Sequence, residues 1–343
     1  MATASTLLPA DIAADLLDFS DAEFAAAPTL DVHAREVRLL DSGFVGIAIA
    51  AQSQIHVDAQ AVLPIAIAVR CDGERDWDLP LGDNCLLVAT EMQSGRVSVV
   101  PALVPPKVLA SRHQAQATRA GPVRPPADEL AGYGAQIAWT EVRCRIDLPW
   151  RSSAWSFGLV HFDWVSNLVS VALEGGEATR PDAAAPLSVN PQPAAGAPGL
   201  PSYLPGSRTP PMPSTPGQGV NFNIELDERG PAARLIVDAA FSTPARPHAL
   251  VAGMTLPDGG QEQEVAAIVP VTLLLVGANA VHPWRRDLAV PVYGAPVQAG
   301  EPIEGCLSWD AFNDAPAPGP GEFACYLVLD GAIHGPQRIR VTR

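Results

Sequence analysis

Two pairs of side chains in this chain have the residue types and spacing of metal ligands. His161 and Asp163 are two residues apart in a predicted strand, as are Asp31 and His33, and alternate residues of a strand point to the same face. Imidazole nitrogens and carboxylate oxygens both bind zinc, so each pair could supply two ligands. The sequence does not show where further ligands would come from, and a hydrogen-bonded polar pair is the simpler interpretation. We predict no cofactor, with His161 and Asp163 kept as candidates for a metal site.

Aromatic residues cluster in one region of the chain and suggest a second kind of chemistry. Four of the seven tryptophans lie between residues 139 and 164. Trp150 and Trp155 flank a loop-like segment, Arg151-Ser152-Ser153, where exposed indole rings could stack on a sugar or anchor a protein interface. The alternative is that they cover the core of a β-sandwich. We carry Trp150 and Trp155 as binding candidates, with carbohydrate as the alternative ligand.

The common catalytic signatures are missing from the sequence. It contains no glycine-rich phosphate loop, no paired-cysteine zinc spacing, no His-Glu helix motif and no Gly-x-Ser-x-Gly turn. The lack of these signatures favours a protein that is not an enzyme. A metal-dependent enzyme or metal-binding protein that uses His161 and Asp163 is the second alternative, after a carbohydrate-binding module.

Charge and hydropathy exclude some classes of partner. The 343 residues include 37 acidic and 22 basic residues, which gives a formal net charge of -15, and this charge disfavours binding to nucleic acid. The first 27 residues lack the pattern of a signal peptide, and no apolar run approaches the roughly 20 residues of a membrane helix. We expect a cytoplasmic protein without membrane insertion.

The five cysteines fit a reducing compartment better than a disulfide framework. Two bridges, Cys71 to Cys85 and Cys306 to Cys325, stay open as alternatives. Strict alternation from 141 to 148 predicts a strand that places Cys144 in a core.

Residues 1–27 predict a short helical arm. Ile12, Leu16 and Phe19 form an apolar stripe at helical spacing. The stripe either packs on its own domain or docks the arm on a protein partner.

Strand patterns dominate from residue 28 to 175, which predicts a first β-sandwich. A long proline-rich loop from 105 to 134 interrupts it, and its positive charge stands out in an acidic chain. The loop is either a solvated excursion or a docking surface, whose candidate contacts are Lys107, Arg112, Arg119 and Arg124. The strands are predicted near 30–40, 43–51, 61–70, 85–91, 96–103, 136–148 and 156–173, with a break in the last run near Ser166-Asn167.

A proline-rich segment separates this region from a second β domain. Residues 176–219 contain eleven prolines and few large apolar side chains, which is typical of an extended linker. From 220 to 343 alternating patterns return and predict a second sandwich. Its strands are predicted near 220–227, 233–241, 248–256, 265–276, 287–293, 303–309, 323–329 and 337–342.

An internal sequence similarity, which we call the echo, suggests that the two domains are related. Residues 44–70 and 250–276 share an apolar run that follows a proline, Pro64 in one copy and Pro270 in the other. The fold class predicted is therefore all-β, with two tandem immunoglobulin-like β-sandwich domains, a short N-terminal helix and a Pro-rich interdomain linker. The predicted function is that of a non-catalytic accessory or structural subunit, which binds a protein partner or forms a homo-oligomer.

Overall fold

The computed structural model is built mostly of β-strands. It describes residues 7–27, 29–58, 62–70, 85–102, 135–146, 148, 151–175, 210–230, 232–251, 254–258, 261–277, 283–313 and 316–342. The helices are α1 (Pro9–Leu16), α2 (Asp21–Ala26) and α3 (His33–Asp41), with a 3-10 turn at Val142–Cys144. The strands of the first half are β1 (Gly46–Ala51), β2 (Gln54–His56), β3 (Pro64–Arg70), β4 (Leu86–Glu91), β5 (Val97–Pro101), β6 (Ala135–Glu141), β7 (Ser153–His161), β8 (Trp164–Val165) and β9 (Val169–Glu174). Those of the second half are β10 (Val220–Asp227), β11 (Arg234–Pro244), β12 (Thr255–Asp258), β13 (Gln261–Gly277), β14 (Trp284–Tyr293), β15 (Pro302–Asp310), β16 (Gly321–Leu329) and β17 (Ala332–Val341).

The chain forms two compact units. The first lies within Met1–Ala89 and Ser98–Leu187, and the second within Ser188–Ala278 and Pro283–Arg343, together with Thr90–Val97. Each half of the chain contributes one three-stranded sheet and one larger sheet. The prediction of an all-β fold is confirmed at this level.

The two halves arrange their strands in the same order. The first half has sheets β1-β3-β6 and β2-β9-β7-β4-β5, and the second has β10-β11-β15 and β17-β16-β13-β14. When β2, β8 and β12 are set aside, seven strands remain in each half. If the seven strands of each half are renumbered 1 to 7 along the chain, strands 1-2-5 form one sheet and strands 7-6-3-4 form the other, in both halves. Each of these seven strands therefore has a structural counterpart in the other half, and β9 corresponds to β17.

The first unit buries both faces of its three-stranded sheet. Ile47 and Ile49 of β1 point into the core between the sheets, whereas Ala48 of β1 packs under the helices. Ala66 and Ala68 of β3 also face the helices. Small side chains on this face let the helical layer approach the sheet closely, and burial on both faces explains the unbroken apolar runs of these strands.

The described residues of the second unit form an apolar core between its two sheets. Phe241 of β11, Trp309 of β15 and Leu273 of β13 are among its fully enclosed side chains. Gly305 of β15 is positioned under the Phe241 ring, where an added Cβ would lie 2.5 Å from the ring carbon Cζ. A glycine is needed there because any larger residue would displace the ring.

Three predicted strands are wrong. In place of the strand over 248–256 the chain has a turn at 247–249, an isolated bridge between Leu250 and Ala267, and a strand that begins only at Thr255. Residues 33–41 form α3 instead of a strand over 30–40, since the run from His33 to Asp41 combines good helix formers with few apolar positions. The strand predicted from 141 to 148 ends at Glu141. There the Glu141 carboxylate accepts a hydrogen bond from the Arg143 backbone N–H at 3.1 Å, and the chain turns into the 3-10 helix. The side chain of Cys144 lies outside the described residues.

The echo between 44–70 and 250–276 does not join structural counterparts. Its first copy covers β1 and β3, which pair with each other, whereas the apolar run of its second copy is β13, which pairs with β14 and β16. The counterpart of β3 in the strand order is β11.

The described cysteines are reduced. Cys85 and Cys325 are buried and Cys306 is exposed, so Cys306 and Cys325 form no bridge. Burial raises the pKa of the Cys85 and Cys325 thiols to about 12. Both behave as small apolar side chains at neutral pH. Cys71, the other half of the Cys71 to Cys85 alternative, lies outside the described residues.

Candidate interaction surface

Several residues proposed from the sequence as binding contacts lie outside the described part of the chain. They are Lys107, Arg112, Arg119, Arg124 and Trp150. Their roles stay predictions.

Trp155 is a core residue. Its side chain is fully buried, its indole N–H donates to the Ser153 hydroxyl at 2.9 Å, and its ring stacks on Phe157 with 6.1 Å between centroids. The expectation that Trp155 is exposed is wrong, because positions 155, 157 and 159 of β7 all point between the sheets. The ring is not available to stack on a sugar.

The apolar stripe of the N-terminal arm packs on its own unit. Ile12, Leu16 and Phe19 are buried in the cluster between the helices and the sheet β1-β3-β6. Docking through these side chains would require the arm to detach. Their contact with a partner stays a prediction.

His161 and Asp163 do not alternate along one strand. His161 ends β7 and pairs with Trp164 of β8, so Phe162 and Asp163 form a two-residue turn. The His161 ring is buried against the Trp164 ring, with 5.7 Å between centroids, and its Nε2 has no hydrogen-bond partner among the described residues. Asp31 instead accepts the backbone N–H of His33 at 3.0 Å. No group of three potential metal ligands lies within the described residues.

Burial gives His161 a defined pH dependence. It lowers the pKa of His161 below the ordinary 6.5, and the nearby charge of Asp163 only partly offsets this. The unfolded chain therefore binds a proton that the folded chain resists, so stability falls as the pH drops below about 6.5.

We expect His161→Phe to keep or raise the free energy of unfolding at pH 7.5, by up to about 1 kcal/mol, because it removes a buried nitrogen that has no hydrogen-bond partner among the described residues. At pH 5 the gain should be larger. Urea titrations at both pH values measure this, with the exposed His33→Phe as the control. A loss of about 2 kcal/mol or more at pH 7.5 would contradict the account, because it would show that Nε2 has a stabilising partner.

The first strand of each three-stranded sheet has its outer edge closed by a side-chain amide. In the first unit the Asn167 amide accepts from Ile49 N–H and donates to Ile49 C=O, both at 2.9 Å. In the second unit the Gln337 amide accepts from Ile224 N–H at 3.1 Å and donates to Phe222 C=O at 2.5 Å. These amides take the place of a neighbouring strand on β1 and β10, respectively. Closing an edge in this way hinders unwanted pairing with other chains.

A third edge, that of β9, is covered by a strand. β2 runs parallel to β9, with Ile55 opposite Leu173 and His56 opposite Glu174. Ile55 is buried in the core, whereas Gln54 and His56 on either side are exposed. A short strand with an apolar residue between two polar ones therefore completes this side of the first sandwich.

Within the described residues no second strand covers β17, the counterpart of β9 in the second half. Among the described residues β17 pairs with β16 alone, and at ten residues it is longer than β9, which has six. The Thr342 backbone N–H, just past the strand, donates to the Glu228 carboxylate at 2.7 Å, on the side away from β16. Because backbone groups alternate along a strand, those of Arg340 point to the same open side.

The core beside this edge is incompletely covered. In the first unit Ile47 and Ile49 of β1 are fully buried. The corresponding apolar residues of the second unit are only partly buried, as is Ile339 on β17. We call these residues the apolar seam: Val220, Phe222, Ile224, Leu226 and Ile339.

The outer face of β17 carries positive charge. Arg338 and Arg340 are both exposed and lie on the face opposite to Ile339. Across the ladder Arg340 faces Glu322, and Arg338 faces Ala324. The pair is a local basic row on a chain whose net charge is -15.

The comparisons with known proteins return no assignment. No protein-family model matches the chain, and no curated protein matches it. Within the described residues no helix is long and apolar enough to cross a membrane.

The sequence analysis did not identify Asn167 and Gln337, the residues whose side-chain amides close two of the sheet edges. A signal for Gln337 was available, because it shares the inward face of the predicted strand 337–342 with Ile339 and Val341, and a polar residue at an inward position indicates a specific hydrogen bond. No signal for the open edge of β17 existed, since it follows from the comparison with β9.

Proposed function

We propose that this chain is a non-catalytic accessory or structural subunit that assembles with a protein partner through an open sheet edge. Its two halves are, in this proposal, immunoglobulin-like sandwiches over 28–175 and 220–343, joined by the proline-rich linker 176–219. The strand order 1-2-5 and 7-6-3-4 in both halves supports the immunoglobulin-like assignment, because such domains consist of two antiparallel sheets with Greek-key connections.

The observation that carries the proposal is the edge of β17. Three other edges are closed, two by amides and one by β2, whereas β17 has β16 as its single strand neighbour among the described residues. Within the described part of the chain β14 and β15 also pair on one side only, and β17 differs from them in being the counterpart of the covered strand β9. Main-chain pairing at a sheet edge is an established mode of protein recognition.

Capture of the full-length protein from its own cells, with mass spectrometry and mass photometry of the eluate, tests the proposal. We expect a defined assembly for the wild type and its loss in Arg340→Pro, because proline removes an outward N–H from the edge. Arg340→Lys, which keeps both the N–H and the charge, is the matched control and should retain the assembly. A monomer without a reproducible partner, or an assembly that survives Arg340→Pro, contradicts the proposal.

A further inference from the structure

Two buried polar side chains of the second unit lie side by side without a hydrogen-bond partner. Asp238 of β11 is 6% exposed and Ser308 of β15 is 3% exposed. Neither Asp238 Oδ1 nor Ser308 Oγ has a hydrogen-bond partner among the described residues. The two residues are directly opposite each other in the ladder between β11 and β15, where β-carbons are about 4.5–5.5 Å apart. They therefore form one polar site.

This site lies on the outer face of the sheet β10-β11-β15. Val237 and Leu307, the chain neighbours of Asp238 and Ser308, point into the core between the two sheets, so Asp238 and Ser308 point away from that core. The outer face is covered here as well, because Ala240, the next outward residue of β11, is fully buried. The Asp238 carboxylate is thus largely shielded from bulk water.

A carboxylate in such a position requires a compensating charge. Its transfer out of water is strongly unfavourable unless an opposite charge or hydrogen bonds stabilise it. Two arginines of this unit are paired with other carboxylates, Arg234 with Asp310 at 2.8 Å and Arg246 with Asp330 at 2.6 Å. Within the described ranges no basic side chain pairs with Asp238.

We propose that Asp238 and Ser308 bind a monovalent metal cation, Na⁺. Carboxylate and hydroxyl oxygens are the ligands that hard cations prefer. Asn223 of β10 is directly opposite Asp238 on its other side and is exposed, so its amide oxygen adds a third ligand from the solvent side. Water that enters from this side completes the coordination.

The charge of the site favours a singly charged ion. No cluster of three histidine, cysteine or acidic side chains is present in the described part of the chain, and Asp238 is the carboxylate in the row that Asn223, Asp238 and Ser308 form across the sheet. One positive charge neutralises one carboxylate, whereas a divalent ion would leave a net charge in a buried position. Because Asp238 is enclosed, a small ion fits the site and the bulky basic side chain of a partner does not.

Thermal unfolding of the full-length protein in two salts tests the inference. Sodium chloride and choline chloride are compared at the same concentration, about 0.15 M, so that both screen surface charges equally. Choline is too large for the site. An ion that binds the folded state alone raises the unfolding midpoint, and we expect the midpoint in sodium chloride to be higher by about 3 °C or more.

Three variants locate the effect. Asp238→Asn should lose the sodium-specific shift, and in choline chloride it should unfold at a higher temperature than the wild type, because it removes the buried charge. Ser308→Ala should reduce the shift. Glu304→Gln, at an exposed carboxylate on the same face of β15, is the matched control and should keep the full shift.

The linewidth in sodium NMR measures binding directly. The wild type should broaden the sodium line, and added potassium chloride should reverse this less than an excess of unlabelled binding sites would require for surface charges alone, since Glu304→Gln broadens the line as the wild type does and Asp238→Asn broadens it less. The wild-type comparison needs no variant, so the inference stays testable if Asp238→Asn does not fold.

Equal midpoints of the wild type in the two salts overturn this inference, as does a sodium shift that persists in Asp238→Asn. A shift in calcium chloride without one in sodium chloride also overturns it, because it assigns the site to a divalent ion. Lower midpoints of both Asp238→Asn and Ser308→Ala in choline chloride would show that the two side chains bind each other instead of an ion.

Discussion

The Trp155→Ala variant is expected to lose about 3–5 kcal/mol of the free energy of unfolding, the range for removal of a buried aromatic side chain. Trp155 is fully buried, stacks on Phe157 and donates its N–H to Ser153. Its removal leaves a cavity in the core of the first unit and takes one donor from the Ser153 hydroxyl, which still donates to the Arg151 C=O at 3.0 Å. The loss should appear in urea denaturation of the full-length protein, followed by far-ultraviolet circular dichroism.

Trp155→Phe serves as the control. It keeps an aromatic ring but removes the N–H and part of the volume, so we expect it to retain more than half of the stability that the alanine variant loses. A loss below about 1 kcal/mol in Trp155→Ala would contradict the buried position, since exposed side chains contribute little to stability. The outcome therefore also decides whether the ring is available to a ligand.

The second large effect is expected at Arg35, which ties the three helices together. From α3 its guanidinium donates to Leu16 C=O at 2.8 Å, near the end of α1. It also pairs with Glu23 of α2 at 3.0 Å and lies 4.0 Å from the centre of the Phe19 ring. Hydrogen bonds to charged groups contribute about 1.5–3 kcal/mol, and a cation-π contact about 0.5–2 kcal/mol.

We expect Arg35→Ala to lose about 2–4 kcal/mol, because partial exposure of the ion pair reduces its contribution. The Trp139 ring packs against Phe19 with 4.8 Å between centroids, so tryptophan fluorescence reports loosening of the helical layer.

Arg38→Ala, an exposed arginine on the same helix, is the matched control and should change stability by less than about 0.5 kcal/mol. Equal effects of the two substitutions would show that Arg35 does not hold the layer.

Much of the fold could be predicted from the sequence, because alternation of apolar and polar residues is a local signal. It located β10 from Phe222 and Ile224, and most other strands, to within a few residues. α3 was missed because nine residues with few apolar positions fit a short strand and a short helix about equally well. The helix is stabilised by nonlocal contacts, such as Glu36 accepting the Ile137 N–H of β6 at 3.0 Å.

The candidate surface could not be predicted, because it depends on which strands become neighbours. The basic residues Arg338 and Arg340 are unremarkable in the sequence, and they gain a role only when β17 lies at an edge. Trp155 is the opposite case, a residue that was predicted to be on the surface and lies in the core. Its loop-like neighbours suggested exposure, but the inward alternation with Phe157 decides its position.

Hydrogen exchange at the backbone N–H of Arg340 tests the central claim most directly. The isolated protein is compared with the assembly captured from its own cells, each analysed by mass spectrometry of overlapping peptides from β17. The account predicts exchange at Arg340 in the isolated protein and strong protection in the assembly, because a partner strand would accept this hydrogen bond. Unchanged exchange at Arg340, with protection appearing elsewhere, would place the partner on another surface and contradict assembly through β17.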